Sequence, residues 1–258
     1  MSEAGTNVAE QEEAEMDERL VEVTSKNGGI PTFFVAPGGG SEHPAIILYM
    51  DAPGIREELF NIARRIAKQG YACVVPDLYH RYGRIRFDLP RRNDGMSQVI
   101  RAAYLALTDA DIDNDTAAML GFLEAQPEVR SGKVGGIGFC MSGRFVTTAA
   151  ISYPRHLVCG ASLYGTRLVV DEESSPHTRL AGLRAEMYYG FGDLDATTPP
   201  GYIETFRSAL DAAGARYTMD VFEGVDHGYA FPERAMYHAV SAETSWEKIF
   251  DLFERNLR

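Results

Sequence analysis

The chain has 258 residues, 45% of them hydrophobic and 24% charged, with 37 acids against 25 bases and a formal net charge of -12. That size and apolar content suit one large domain with its own core. The excess of acid argues against a nucleic-acid partner, which calls for a basic surface. No apolar stretch reaches the roughly 18 residues that a membrane span needs, so no membrane partner is expected.

Residues 1–18 hold seven acids (Glu3, Glu10, Glu12, Glu13, Glu15, Asp17 and Glu18) and no Lys or Arg. With few large apolar groups to bury, residues 1–19 are expected to form an acidic, flexible tail. Residues 20–258 read as a single domain, with no linker or repeat to divide them. The N-terminus shows no basic region followed by an apolar run, so no secretory signal is expected. Three cysteines, Cys73, Cys140 and Cys159, then point to free thiols in a reducing, cytoplasmic setting.

Residues 19–24 and 31–36 alternate as a strand pair around Gly28-Gly29, a hairpin pattern. The continuous apolar run 44–50 predicts a strand covered on both faces. Helical spacing follows over 55–69 (Leu59, Ile62, Ala63, Ile66, Ala67), stopped by Gly70. Residues 71–76 are the next buried strand. Residues 80–108 are irregular and rich in arginine, as an insertion or cap would be. A helix over about 110–125 leads to a strand at 133–139 and a helix at 141–152. Strands at 157–164, 184–190 and 216–222, with helices at 200–213 and about 234–256, complete the pattern. This alternation predicts an α/β fold, a mostly parallel twisted sheet of about seven to eight strands with helices on both faces.

The chemistry concentrates at Gly138-Phe139-Cys140-Met141-Ser142-Gly143, where a strand must turn sharply into a helix. A nucleophile elbow has this layout, with small residues two before and two after the nucleophile. Gly138 and Ser142 meet that demand around Cys140. The helix N-terminus would aim free N–H groups and its positive dipole end at the sulfur, which favours a thiolate. Ser142 is the rival nucleophile, but Arg144 would then stand where the turn needs a small residue. Cys73 and Cys159 lie in apolar runs and read as buried packing.

In such folds the acid and the histidine follow the nucleophile in that order. His227 sits in a glycine-flanked loop after strand 216–222, while His238 falls within the last predicted helix. Asp193 and Asp195 both follow strand 184–190. The histidines and cysteines lack zinc-type spacing, and Gly38-Gly39-Gly40 is not followed by the residues of a phosphate loop. No metal and no other cofactor is expected.

Three separated segments resemble the dienelactone hydrolase family of α/β-hydrolases: Pro76-Asp77-Leu78-Tyr79-His80-Arg81, the elbow around Cys140, and Asp226-His227-Gly228-Tyr229-Ala230-Phe231. The stretch Met50-Asp51-Ala52-Pro53-Gly54 also looks like the family's oxyanion loop. The resemblance implies an α/β-hydrolase fold and a Cys140-Asp195-His227 triad, with Asp195 chosen because Gly192-Asp193-Leu194-Asp195 and Pro199 match the family's turn. It implies backbone N–H groups of Met141 and Ala52 as the oxyanion hole, Asp51 as the carboxylate that activates the thiol, and Arg81 as a grip on the substrate. Two departures stand out: Asp51 where the family has Glu, and Phe231 where it has a second arginine. The implied activity is hydrolysis of a small-molecule ester or lactone. The rival readings are a non-catalytic small-molecule-binding protein on the same fold, and a thiol-dependent esterase or thioesterase of other substrates. The oligomeric state is not legible.

Overall fold

In a computed structural model, residues 16–258 are described, and eight strands form one sheet in the order β1-β2-β4-β3-β5-β6-β7-β8. Of the expected tail, residues 1–15 lie outside the described residues, and Met16 already opens the first strand. β1 (Met16–Ser25) and β2 (Gly28–Pro37) make the antiparallel hairpin, and β2 pairs antiparallel with β4 (Ala72–Pro76). From β4 onward every pairing is parallel, through β3 (His43–Tyr49), β5 (Val129–Phe139), β6 (Leu157–Leu163), β7 (Glu186–Gly192) and β8 (Tyr217–Phe222).

The helices are α1 (Glu57–Lys68), α2 (Asp94–Leu105), α3 (Asp109–Glu124), α4 (Met141–Ser152), α5 (Pro176–Arg179), α6 (Tyr202–Ala212) and α7 (Ala239–Leu257). α1 buries Leu59, Ile62, Ala63, Ile66 and Ala67, the stripe its 3.6-residue period dictates. Adjacent strand residues show how the sheet is covered. A Cβ on Gly135 would strike Phe253 and Leu257 of α7, and one on Gly136 would strike Val146 of α4. Successive strand residues point to opposite faces, so α4 and α7 cover opposite sides of β5.

Two expectations change. The arginine-rich stretch contains a regular helix, α2, which the sequence pattern left irregular because only Ile100 on it is buried. The last helix begins at Ala239 rather than near 234, and His238 precedes it as its cap, with its ring nitrogen accepting from the Ser241 N–H at 3.3 Å. No helix among the described residues is long and apolar enough to cross a membrane.

Candidate active site

The parallel strands β3, β5, β6, β7 and β8 release their chain at one end of the sheet, the side where ligands bind in open α/β sheets. Asp51, Cys140, Tyr164, Asp195 and His227 follow these strands in turn. A cleft of about 460 Å³ opens there, lined by Asp51, Ala52, Cys140, Tyr164 and His227 among others.

β5 ends at Phe139 and α4 begins at Met141, so Cys140 alone makes the turn, with φ 56 and ψ -119. Such a backbone is strained for any residue with a Cβ and persists only where its surroundings hold it. Here the Cys140 N–H donates to the Leu163 carbonyl at 3.1 Å, and its own carbonyl accepts from Gly143 (3.1 Å) and Thr166 (3.0 Å). A Cβ on Gly138 would lie 2.0 Å from the Ser142 carbonyl oxygen, so only glycine fits two residues before Cys140. Ser142 is fully buried; its Oγ accepts from the Phe139 N–H at 2.8 Å and donates to the Tyr49 carbonyl at 3.0 Å. The rival nucleophile is therefore a strut that ties the elbow to β3. Cys73 and Cys159 are buried, and desolvation pushes both thiols well above their ordinary range, whereas Cys140 is part-exposed at the cleft.

Asp195 is buried behind His227, and its Oδ2 lies 2.7 Å from His227 Nδ1. Its other oxygen accepts from the Thr197 N–H at 2.8 Å and the Thr197 hydroxyl at 2.6 Å. Burial alone would raise this carboxyl. The His227 and Thr197 bonds outweigh it and hold Asp195 below the usual carboxylate value. Burial likewise works against charge on His227, but the bond to Asp195 and the charges of Cys140 and Asp195 raise the imidazole to about 10. Asp193, the alternative acid, instead accepts from the Val225 N–H at 3.2 Å and ties the two loops together.

The end of β3 is built as a turn. The Gly54 N–H donates to the Asp51 carbonyl at 2.9 Å, and the Tyr79 hydroxyl donates to the Ala52 carbonyl at 2.7 Å. A trans peptide sets N–H and C=O in opposite directions, so the Ala52 N–H points away from the turn's own bond. Met141 is the first residue of α4, where N–H groups have no partner within the helix. Met141 adjoins Cys140 in the chain, and Ala52 lines the same cleft as Cys140.

Two expectations meet a different geometry. Asp51 lines the cleft, but both its oxygens are engaged: Arg56 bonds to each of them, and Arg234 Nη2 donates to Oδ2 at 3.0 Å. Arg56 also bonds buried Glu58, and both arginines flank the Phe231 ring, with guanidinium carbons 4.9 and 5.5 Å from its centroid. The aromatic residue that departs from the family pattern is thus a platform for two cations. Arg81 is paired away from the cleft. It is absent from the cleft wall, and its Nη2 donates to both oxygens of Asp115 at 2.9 Å each. Asp115 is fully buried, and a buried carboxylate requires a cation to offset its desolvation.

Arg92 of the arginine-rich stretch lines the cleft, together with two cations that sequence reasoning missed, Arg101 and Arg234. Ser97, Ile100, Arg101 and Tyr104 of α2 form part of its wall, at the i, i+3, i+4, i+7 spacing of one helix face. Recognising the helix in the arginine-rich stretch would have revealed that face. Among the described residues, no cluster of three or more His, Cys, Asp or Glu could hold a metal ion.

A parallel sheet with an antiparallel hairpin at one edge, and a strained strand-to-helix elbow facing loops after later strands, define an α/β-hydrolase. Comparison with known proteins narrows the class. The family model "Dienelactone hydrolase family" matches residues 30–257. The chain belongs to this family, and with it to the carboxylic ester and lactone hydrolases. It is 27% identical over 246 residues to a Synechocystis protein named "Putative carboxymethylenebutenolidase", covering 93% of this chain and 97% of that one. A Methylorubrum extorquens protein of the same name is 26% identical over 239 residues, covering 91% of this chain and 80% of the relative. Among solved structures, one titled as a "Putative Dienelactone Hydrolase" from Klebsiella pneumoniae superposes with a TM-score of 0.84 at 24% identity, covering 93% of this chain and 99% of the other. At that identity the superposition speaks for the fold alone.

Proposed function

We propose that the protein hydrolyses a small carboxylic ester or lactone, through nucleophilic attack by the Cys140 sulfur with His227 and Asp195 as its partners. The observation that carries this reading is the position of His227. One ring nitrogen is held at 2.7 Å by buried Asp195, and the imidazole lines the same cleft as Cys140, whose charge helps to raise it. Asp195 fixes the orientation of the ring and stabilises its charged form.

In the first step the thiolate sulfur bonds to the scissile carbonyl carbon, and the carbonyl electron pair moves onto oxygen. The N–H groups of Met141 and Ala52 would receive that oxyanion. As it collapses, the bond to the leaving oxygen breaks and charged His227 supplies its proton, leaving a thioester on Cys140. In a lactone the leaving oxygen stays tethered to the acyl group. Water then gives a proton to His227 and attacks the thioester, and the sulfur departs as thiolate beside the recharged imidazole. With both oxygens of Asp51 bound by arginines, polarisation of the thiol falls to His227 and the helix N-terminus.

The test is a panel of aryl esters and unsaturated lactones assayed with wild type and Cys140→Ala. The reading expects turnover by wild type and loss of at least about 10³-fold in the variant. Full activity in Cys140→Ala would remove the sulfur as nucleophile. A wild type inert to the whole panel, yet binding its members, would favour a binding protein on this fold.

A further inference from the structure

Tyr164 follows β6, the strand next to β5, which Cys140 follows. Its φ is 40, in the left-handed region that bulky side chains rarely occupy. The backbone is pinned there by its N–H, which donates to the Gly190 carbonyl at 2.6 Å. The ring packs edge-on against His227, centroids 5.0 Å apart, and against Tyr229 at 5.2 Å. The residue lines the cleft although it is only 1% exposed.

Its hydroxyl is the anomaly. Among the described residues it has no hydrogen-bond partner. Other buried tyrosines do better: Tyr49 meets Thr116, Tyr79 the Ala52 carbonyl, Tyr188 Asp220, Tyr202 the Gly165 carbonyl and Tyr229 Ser245. A buried polar group left unpaired lowers stability, as does a strained backbone, and the two together mark a functional position. Tyr164 shares the cleft wall with Asp51, Cys140 and Arg234, and its hydroxyl lies within electrostatic reach of all three. Burial, then the charge of Asp51, hold the phenol well above its ordinary value. It is therefore an O–H that donates and does not ionise.

We propose that Tyr164 is a further catalytic residue, whose hydroxyl donates a third hydrogen bond to the oxyanion formed when Cys140 attacks the scissile carbonyl. This rests on the Cys140 reading above. A donor without a partner in the resting protein is matched by an acceptor that exists only during reaction. Hydrogen bonds to an anion are stronger than those to a neutral carbonyl, so the contact lowers the barrier rather than merely tightening binding. No proton moves; the tyrosine stays protonated throughout.

Tyr164→Phe tests it with three readouts. The acylation rate, followed as the burst of 4-nitrophenol from 4-nitrophenyl acetate, should fall about 100-fold. Alkylation of Cys140 by iodoacetamide, a displacement that forms no oxyanion, should stay within about twofold of wild type. Removal of an unpaired buried hydroxyl should leave Tm unchanged or raise it by about 2 °C. An acylation rate equal to wild type would overturn the proposal. So would a parallel fall in alkylation, since the phenol would then be positioning the sulfur or the imidazole, and so would a Tm several degrees lower, which would mean the hydroxyl is paired within the fold. Hydrolysis retained by Cys140→Ala would instead remove the nucleophile reading on which the proposal stands.

Discussion

His227 Nδ1 stands 2.7 Å from Asp195 Oδ2, although 32 residues separate them along the chain. The contact is made by two adjacent parallel strands, β7 and β8, whose loops meet at Gly192. A Cβ there would lie 2.2 Å from the Val225 carbonyl oxygen, so glycine lets the histidine loop close onto the aspartate loop. The Asp193 side chain and the Val225 N–H fasten the same junction.

The pair makes stability depend on pH in a defined window. His227 is raised from 6.5 to about 10, so its contribution is fully present below 6.5 and is lost as pH rises through about 10. Asp195 is lowered from 3.8, so its contribution is present above 3.8 and is lost as pH falls through its folded value. The urea midpoints of wild type and Asp195→Asn should therefore differ most between about pH 4 and 6.5 and converge above about pH 10. A difference that does not vary with pH would contradict the linkage.

The elbow makes a steric prediction. The Cβ of Gly138→Ala would meet backbone, the Ser142 carbonyl oxygen, at 2.0 Å, with no flexible side chain to give way. Loss of about 1–3 kcal/mol or more is expected from such overpacking, measured as a lower urea midpoint, with activity falling as Cys140 shifts. An unchanged midpoint would show that the turn has slack.

Arg81 separates a structural role from a substrate grip. Its guanidinium neutralises Asp115, which is 0% exposed, with His80 Nε2 at 3.2 Å as the other neighbour. Arg81→Gln should cost about 3 kcal/mol of stability by leaving a buried carboxylate short of its cation. The ratio of KM values for a carboxylate-bearing ester and its methyl ester should stay within about twofold of wild type. A large rise in KM for the charged ester alone would restore the substrate role.

What was legible in the sequence follows from what leaves a local pattern. Buried strands β3, β4 and β5 are apolar runs, α1 carries its stripe at helical spacing, and the elbow needs small residues at fixed offsets. α4 was read at its observed bounds because strand, glycine and helix abut there. Charge partners leave no such trace. Arg56 and Arg234 reach Asp51 from positions 5 and 183 residues away, and Arg81 reaches Asp115 across 34 residues. A cation's role depends on which carboxylate the fold buries beside it. Tyr164 was visible as the end of strand 157–164, but its unpaired hydroxyl exists only in three dimensions.

The central claim is a covalent acyl group on Cys140. The most direct measurement is acid quench of the protein within the burst phase of 4-nitrophenyl acetate hydrolysis, followed by intact-mass and peptide mass spectrometry. The account predicts one added acetyl group on the peptide containing Cys140, removed by hydroxylamine and absent in Cys140→Ala. Turnover at full rate with no acyl group on that peptide, or with the group on Ser142 instead, would contradict it.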